Sequence, residues 1–196
     1  MNKKPTKDDK LVNYYSYLID PKHFIDREMS WLQFNTRVFA QALNSQNLLF
    51  ERLRFVDIYI NNLNEFCMKR MGTLINVLKS KLHYNSLDGS SPLQKLRMIK
   101  SHIIQQNKML DHLLQTQLLP QLKKEHISLV KWSELAIREK SFLKCYFKEN
   151  LFPILTPLAV DPGRPFPFIS NLSNSLSIVL RRPREKKLSF ARLKIP

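Results

Sequence analysis

Four side chains of a helix-forming stretch could together hold a flat heterocycle. Tyr59 lies three residues before Asn62, with Glu65 three after it and Phe66 four after it, the spacings that bring side chains onto one strip of a helix. A carboxamide carries one acceptor oxygen and one donor nitrogen, the complement of the donor and acceptor edge of adenine, and an aromatic ring offers a stacking face. Asn61, Asn62 and Asn64 stand within four residues, although asparagine is a poor helix former because its amide competes for nearby backbone groups. Two uses account for them: a ligand site, or a polar helix face bonded to a neighbouring loop. Tyr59 and Phe66 carry the matching alternative of core packing. Asn61, about 100° around the helix from Asn62 by the 3.6-residue repeat, is expected to serve stability with Asp57 and Glu65.

Other chemistry finds little support. Gly72, Gly89 and Gly163 are the only glycines, too few and too scattered for a glycine-rich phosphate loop. His23, His83, His102, His112 and His126 lack metal-ligand spacing, so no metal site is expected. Asp111 and His112 are helix neighbours pointing to different faces, which excludes a dyad. No catalytic residue is assigned within the chain.

The element that positions the asparagines runs from Leu48 to Leu78. Leu49, Leu53, Val56, Ile60, Leu63, Cys67, Leu74 and Leu78 recur at helical spacing, predicting one long helix or two nearly collinear ones. Arg52 and Arg54 stand in its first half. Before it, Ser30 with Gln33 reads as a capping box opening a helix whose inner face is Trp31, Phe34, Val38 and Ala42, and Asn44 to Asn47 connect the two. After it, His83 to Ser90 reads as a loop. Ser91, Pro92 and Gln94 then start a helix with Leu96, Ile99, Ile103, Leu110 and Leu113 inward, ending or kinking at Pro120. Three such helices with short connections predict a bundle.

From Ile127 the pattern changes. Ile127 to Val130 is a strand candidate, Ser133 a helix cap for residues to about Asn150, and the five prolines between Pro153 and Pro167 an extended arm. Leu176, Ile178 and Leu180, then Leu188, Phe190 and Leu193, predict an antiparallel hairpin with Arg181, Arg192 and Lys194 outward. The expected fold is therefore mainly α, with a mobile tail over 1–23 containing Tyr14, Tyr15 and Tyr17, a helical domain over 24–126, and an α/β segment with an antiparallel hairpin over 127–196.

Lys and Arg number 32 against 16 acidic residues, a net charge of +16 that favours polyanionic partners. Nucleic acid, an anionic membrane surface and an inorganic polyanion all satisfy that sign. Without a dense basic recognition helix, a specific nucleic-acid partner is not expected. Cys67 and Cys145 read as reduced, buried thiols, and no apolar run reaches membrane-spanning length, so the expected location is cytoplasmic, with peripheral contact at the inner membrane face left open.

Three segments in order carry a family resemblance: Met29-Ser30-Trp31-Leu32-Gln33-Phe34-Asn35 with Arg37 and Val38; Leu49 with Glu51-Arg52-Leu53-Arg54-Phe55; and Asn61-Asn62-Leu63 with Glu65-Phe66. They resemble the amino-terminal domain of bacterial polyphosphate kinase of the long-chain, phosphohistidine type, and Thr156 to Ser173 resembles its head domain, so the resemblance implies that 127–196 is an incomplete α/β head domain. Asn64 and Thr36 depart from the family, which usually has an Asp at the first and an acidic residue near the second. The resemblance implies reversible transfer of the terminal phosphoryl group of ATP onto polyphosphate through a phosphohistidine, with Mg2+ held outside this chain. It also implies ATP contact at Asn62 and homo-oligomers formed through the amino-terminal and head regions. The phosphohistidine domains are expected beyond Pro196, making the chain an amino-terminal portion that is inactive alone. Two other classes remain: a basic helical nucleic-acid-binding module, and a scaffold or dimerisation fragment without catalysis.

Overall fold

A computed structural model of the chain describes residues 16–80, 86–160, 166, 168–181 and 188–196. The chain divides into two compact units, Met1–Ser128 and Leu129–Pro196. Most of the expected tail and the start of the expected 83–90 loop lie outside the described residues. Pro21–His23 forms a 3-10 turn closed by Asp20, whose Oδ1 accepts from Lys22 N at 3.1 Å.

The first unit is helical. Helix α1 spans Arg27–Leu43, α2 Leu49–Phe66, α3 Gly72–Lys79, α4 Pro92–Leu113 and α5 Leu119–Lys124. A π turn over Cys67–Met71 joins α2 to α3 without a break, and another over Leu114–Leu118 joins α4 to α5. The wider second turn comes just before Pro120, where a missing donor and a bulky ring disfavour regular α geometry, and Leu119 N bonds back to Leu114 O. Pro120 therefore neither ends nor sharply breaks the helical run. The end comes six residues later, where His126 adopts a left-handed φ of 61° and Ile127 N reaches back to Leu122 O at 2.9 Å. That bond spends the donor of Ile127 on closing a helix, so Ile127 to Val130 is not a strand.

Helix α4 starts as its sequence says: Gln94 N donates to Ser91 Oγ at 3.3 Å and Ser91 N to Gln94 Oε1 at 2.9 Å. Helix α1 does not. Asp26, rather than Ser30, is its cap, accepting from Met29 N at 2.8 Å. The inner face is accordingly turned to Leu32, Asn35, Phe39 and Ala42, while Phe34 is exposed and Trp31 and Val38 lie at the edge. Along α2 the buried centre is Arg52, Val56, Tyr59 and Phe66, with Ile60 towards solvent.

Two clusters make the core. Phe39, Ala42, Val56, Tyr59, Leu113 and Leu118 form one; Leu32, Phe66 and Ile99 form the other, with Leu63 packed against both. Burying a large apolar side chain contributes about 1.5–3 kcal/mol.

In the second unit α6 spans Ile137–Tyr146, followed by a π turn to Leu151 and a 3-10 turn over Phe152–Ile154. Ser133 does not cap it. Glu134 Oε2 accepts from Lys131 N at 2.6 Å, folding Trp132–Glu134 into a 3-10 turn, and Glu139 Oε2 closes the true start by accepting from Ala136 N at 2.7 Å. Strands β1 (Pro157–Val160), β2 (Ser175–Arg181) and β3 (Leu188–Lys194) form an antiparallel sheet with β3 central. The expected hairpin is β2 with β3, where Ile178 pairs with Ala191 and Leu180 with Ser189. The proline-rich arm supplies β1, which pairs Ala159 with Ala191 and carries Pro157 as its first residue, where a missing donor is tolerated. Arg192 is not on an outer face: it is 6% exposed, donating from Nε to Ser175 Oγ at 3.0 Å and from Nη1 to Phe168 O at 2.8 Å. Cys145 is likewise exposed rather than buried.

Candidate functional site

The structure parts the strip that the sequence assembles. Tyr59 is 2% exposed, its ring 4.9 Å from that of Phe39, and burial pushes its phenol up from the ordinary range. Phe66 is 3% exposed and stacks on Trp31 at 4.9 Å, with the planes 16° apart. Both rings are taken up by the core, so neither offers an open stacking face in this conformation. Glu65 is exposed and paired with Lys69, whose hydrogen bond and charge hold the carboxyl below the usual range.

Asn62 is half-buried and forms part of an amide relay that sequence reading missed. Asn35, 1% exposed in the middle of α1, donates from Nδ2 to Tyr59 O at 3.1 Å, and its Oδ1 accepts from Asn62 Nδ2 at 3.1 Å. A buried carboxamide is costly unless hydrogen-bonded, and this pair meets that condition while fastening α1 to α2. The available signal was an asparagine between Leu32 and Phe39 on an otherwise apolar face. Asn61, by contrast, is exposed. The expected division between the two asparagines is thus altered: Asn62 carries a structural bond, and Asn61 makes none among the described residues.

Beside this relay Thr36 contacts His102. Thr36 Oγ1 lies 3.0 Å from Leu32 O and 3.0 Å from His102 Nε2, so the single hydroxyl proton serves one of them. Burial lowers the His102 pKa.

Two buried cations brace the unit. Arg52, 2% exposed, donates from Nε to Ala42 O at 2.8 Å, covering the carbonyl end of α1, and from Nη2 to Gln117 Oε1 at 2.7 Å in the second π turn. It makes no ion pair among the described residues; the helix end and the amide oxygen stand in for a carboxylate. Lys95 instead meets two carboxylates, Asp26 Oδ2 at 2.5 Å and Glu28 Oε2 at 3.2 Å, and Arg27 Nε meets Glu28 Oε1 at 2.7 Å. Burial pulls the Lys95 ammonium down, but the two carboxylates more than offset it and the pKa is raised. A cleft of about 260 Å3 opens here between Asp26, Ser86, Asp88 and Lys95. Asp26 on its wall and the neighbouring Glu28 are already paired with Lys95 and Arg27, which does not suit them to Mg2+. Among the described residues no group of three His, Cys, Asp or Glu side chains comes together to hold a metal. Nor is any described helix long and apolar enough to cross a membrane.

A helical unit built round a buried amide relay, followed by a basic α/β unit, is the class that fold and site define. Residues 24–130 match the family described as polyphosphate kinase N-terminal domain, and residues 138–196 the polyphosphate kinase middle domain. The chain belongs to the polyphosphate kinase family. It is 39% identical over 178 residues to polyphosphate kinase 1 of Chlorobaculum tepidum, covering 90% of this chain and 26% of that protein. It is 41% identical over 173 residues to polyphosphate kinase of Mycolicibacterium gilvum, covering 88% and 24%. The crystal structure of polyphosphate kinase from Porphyromonas gingivalis superimposes with a TM-score of 0.70 at 28% identity, over 88% of this chain and 25% of that one. The chain thus spans about a quarter of the length of the curated relatives it matches.

Proposed function

We propose that the chain is the amino-terminal portion of a polyphosphate kinase, acting in reversible transfer of the terminal phosphoryl group of ATP onto polyphosphate through a phosphohistidine. Its helical unit holds the base of ATP at Asn62, and its two units contribute contacts between subunits. The phosphohistidine and the Mg2+ ligands belong to other parts of the protein, so this chain alone does not elongate polyphosphate. Phosphoryl transfer depends on positioning and on neutralising spread negative charge, and the net charge of +16 suits both polyphosphate and the nucleotide. The same charge leaves peripheral contact with the inner face of an anionic membrane within this reading.

The observation that carries the site is the accessible Oδ1 of Asn62: the nitrogen of this amide is spent on Asn35, whereas the oxygen accepts no bond among the described residues and is not buried. Asn62→Ala should weaken ATP binding by about 0.5–3 kcal/mol, the scale of one or two hydrogen bonds. In the complete enzyme the loss should fall mainly on the apparent ATP affinity, since a base contact is made equally in ground and transition states. Asn61→Ala, on the exposed side, should change ATP affinity little. If Asn61→Ala carries the ATP defect and Asn62→Ala only lowers the melting temperature, the site is on the wrong face of the helix.

A further inference from the structure

The amide relay fixes more than the packing of two helices. Tyr59 O is a carbonyl and can only accept, so the group of Asn35 facing it must be the NH2. Asn35 then has its oxygen towards Asn62, and an oxygen requires a donor opposite it, so Asn62 must turn its own NH2 inward. One backbone carbonyl thereby dictates the orientation of two carboxamides in series. The consequence is that Asn62 Oδ1, on the side of the amide away from Asn35, is left without a bond among the described residues and is not fully buried.

We infer that Asn35 is a positioning residue, locking Asn62 with its acceptor outward so that the base subsite reads an exocyclic amino group and selects adenine over 6-oxo purines. This rests on the reading of Asn62 as the ATP contact. Adenine places a donating N6 amino group where guanine and hypoxanthine place an accepting oxygen. An acceptor facing an acceptor leaves two polar groups unpaired, so discrimination comes from repulsion as well as from a lost bond. Asn62 could otherwise rotate its amide and receive either base. Asn35 denies it that rotation, and its own burial and bond to Tyr59 O deny the same rotation to Asn35.

The test is an NMR titration of the 196-residue chain with ATP and with ITP, which differ at the purine 6-position. ATP should bind more tightly by about threefold or more, the lower part of the range for one hydrogen bond. Asn35→Leu removes the lock, and should narrow the ATP-to-ITP ratio towards one while ATP still binds. Asn35→Asp, whose buried acid can donate to Tyr59 O and accept from Asn62, should retain the ratio. General damage to the bundle would weaken both nucleotides alike and leave the ratio unchanged. Equal binding of ATP and ITP by the unaltered chain overturns the inference, as does an unchanged ratio in a folded Asn35→Leu chain. If Asn35→Leu does not fold, the unaltered chain and Asn35→Asp decide the matter. Asn62→Ala separates the two claims: if it leaves ATP binding intact, the site itself is wrong; if it weakens ATP while ITP binds the unaltered chain equally, only the orientation is wrong.

Discussion

The two units manage similar residues in opposite ways. In the helical unit Phe39, Ala42 and Leu118 are shut away, and even the cations Arg52 and Lys95 are enclosed with partners that satisfy them. In the second unit Ala191 and Arg192 are the buried residues among those described, while Phe168, Val179 and Leu188 are mostly exposed. A helix closes its own backbone bonds and needs only a stripe covered. A three-stranded sheet with one helix leaves apolar surface uncovered, so stability should be concentrated in the first unit. The unit with the more closed core is also the one that carries the proposed base contact.

The most disruptive way to break this contrast is Lys95→Met. It leaves Asp26 and Glu28 enclosed without their ammonium, and losing one member of a buried pair costs about 3–5 kcal/mol. Thermal or urea unfolding would register it. A loss below about 1 kcal/mol would mean that the triad is solvated and the unit less closed than described.

A smaller effect comes from pH. His102 has its pKa lowered from 6.5 by burial, so between its folded value and 6.5 the unfolded chain binds more protons. The neutral imidazole's contribution is present above pH 6.5 and is lost as pH falls through the lowered value. Stability of the helical unit should therefore decline with acidification in that window, and His102→Gln should flatten the decline. Replacement without any change of slope would remove His102 as the cause.

The smallest effect belongs to the second unit. Leu180 on β2 is exposed, and Leu180→Ala should alter the melting transition by less than about 0.5 kcal/mol. A loss of the size seen for buried leucines, about 2–5 kcal/mol, would show that β2 is covered in solution.

Much of the helical unit could be read directly. The Ser91-Pro92-Gln94 start, the Asn44–Asn47 connection and the long run carrying the asparagines are local signals, each decided by residues within one turn. The β2–β3 hairpin was legible for the same reason, through its alternation. What escaped depends on distant partners. Ser30 and Gln33 have the spacing of a capping box, but Asp26 four residues earlier captures Met29 N, and the whole inner face of α1 is set by that start. Asn35 was named only within a family segment, and Arg52 only within another and as a residue of the long helix; they are buried because Tyr59 O, Ala42 O and Gln117 receive their hydrogens, and no pattern within their own helices announces those acceptors. For Tyr59 and Phe66 core packing stood as the alternative to a stacking role, and only the partners, Phe39 and Trp31, lay beyond the local pattern. Arg192 was assigned to solvent by alternation, but Phe168 O and Ser175 draw it inward.

Hydrogen exchange of the chain with and without ATP tests the central claim most directly, because it reads both units and the base contact together. Amides of the Leu49–Phe66 helix and of Pro92–Leu113 should exchange slowly, those of Ser175–Arg181 and Leu188–Lys194 quickly, and ATP should add protection around Asn62. Equal protection of both units, or ATP-dependent protection confined to Leu129–Pro196, would contradict it.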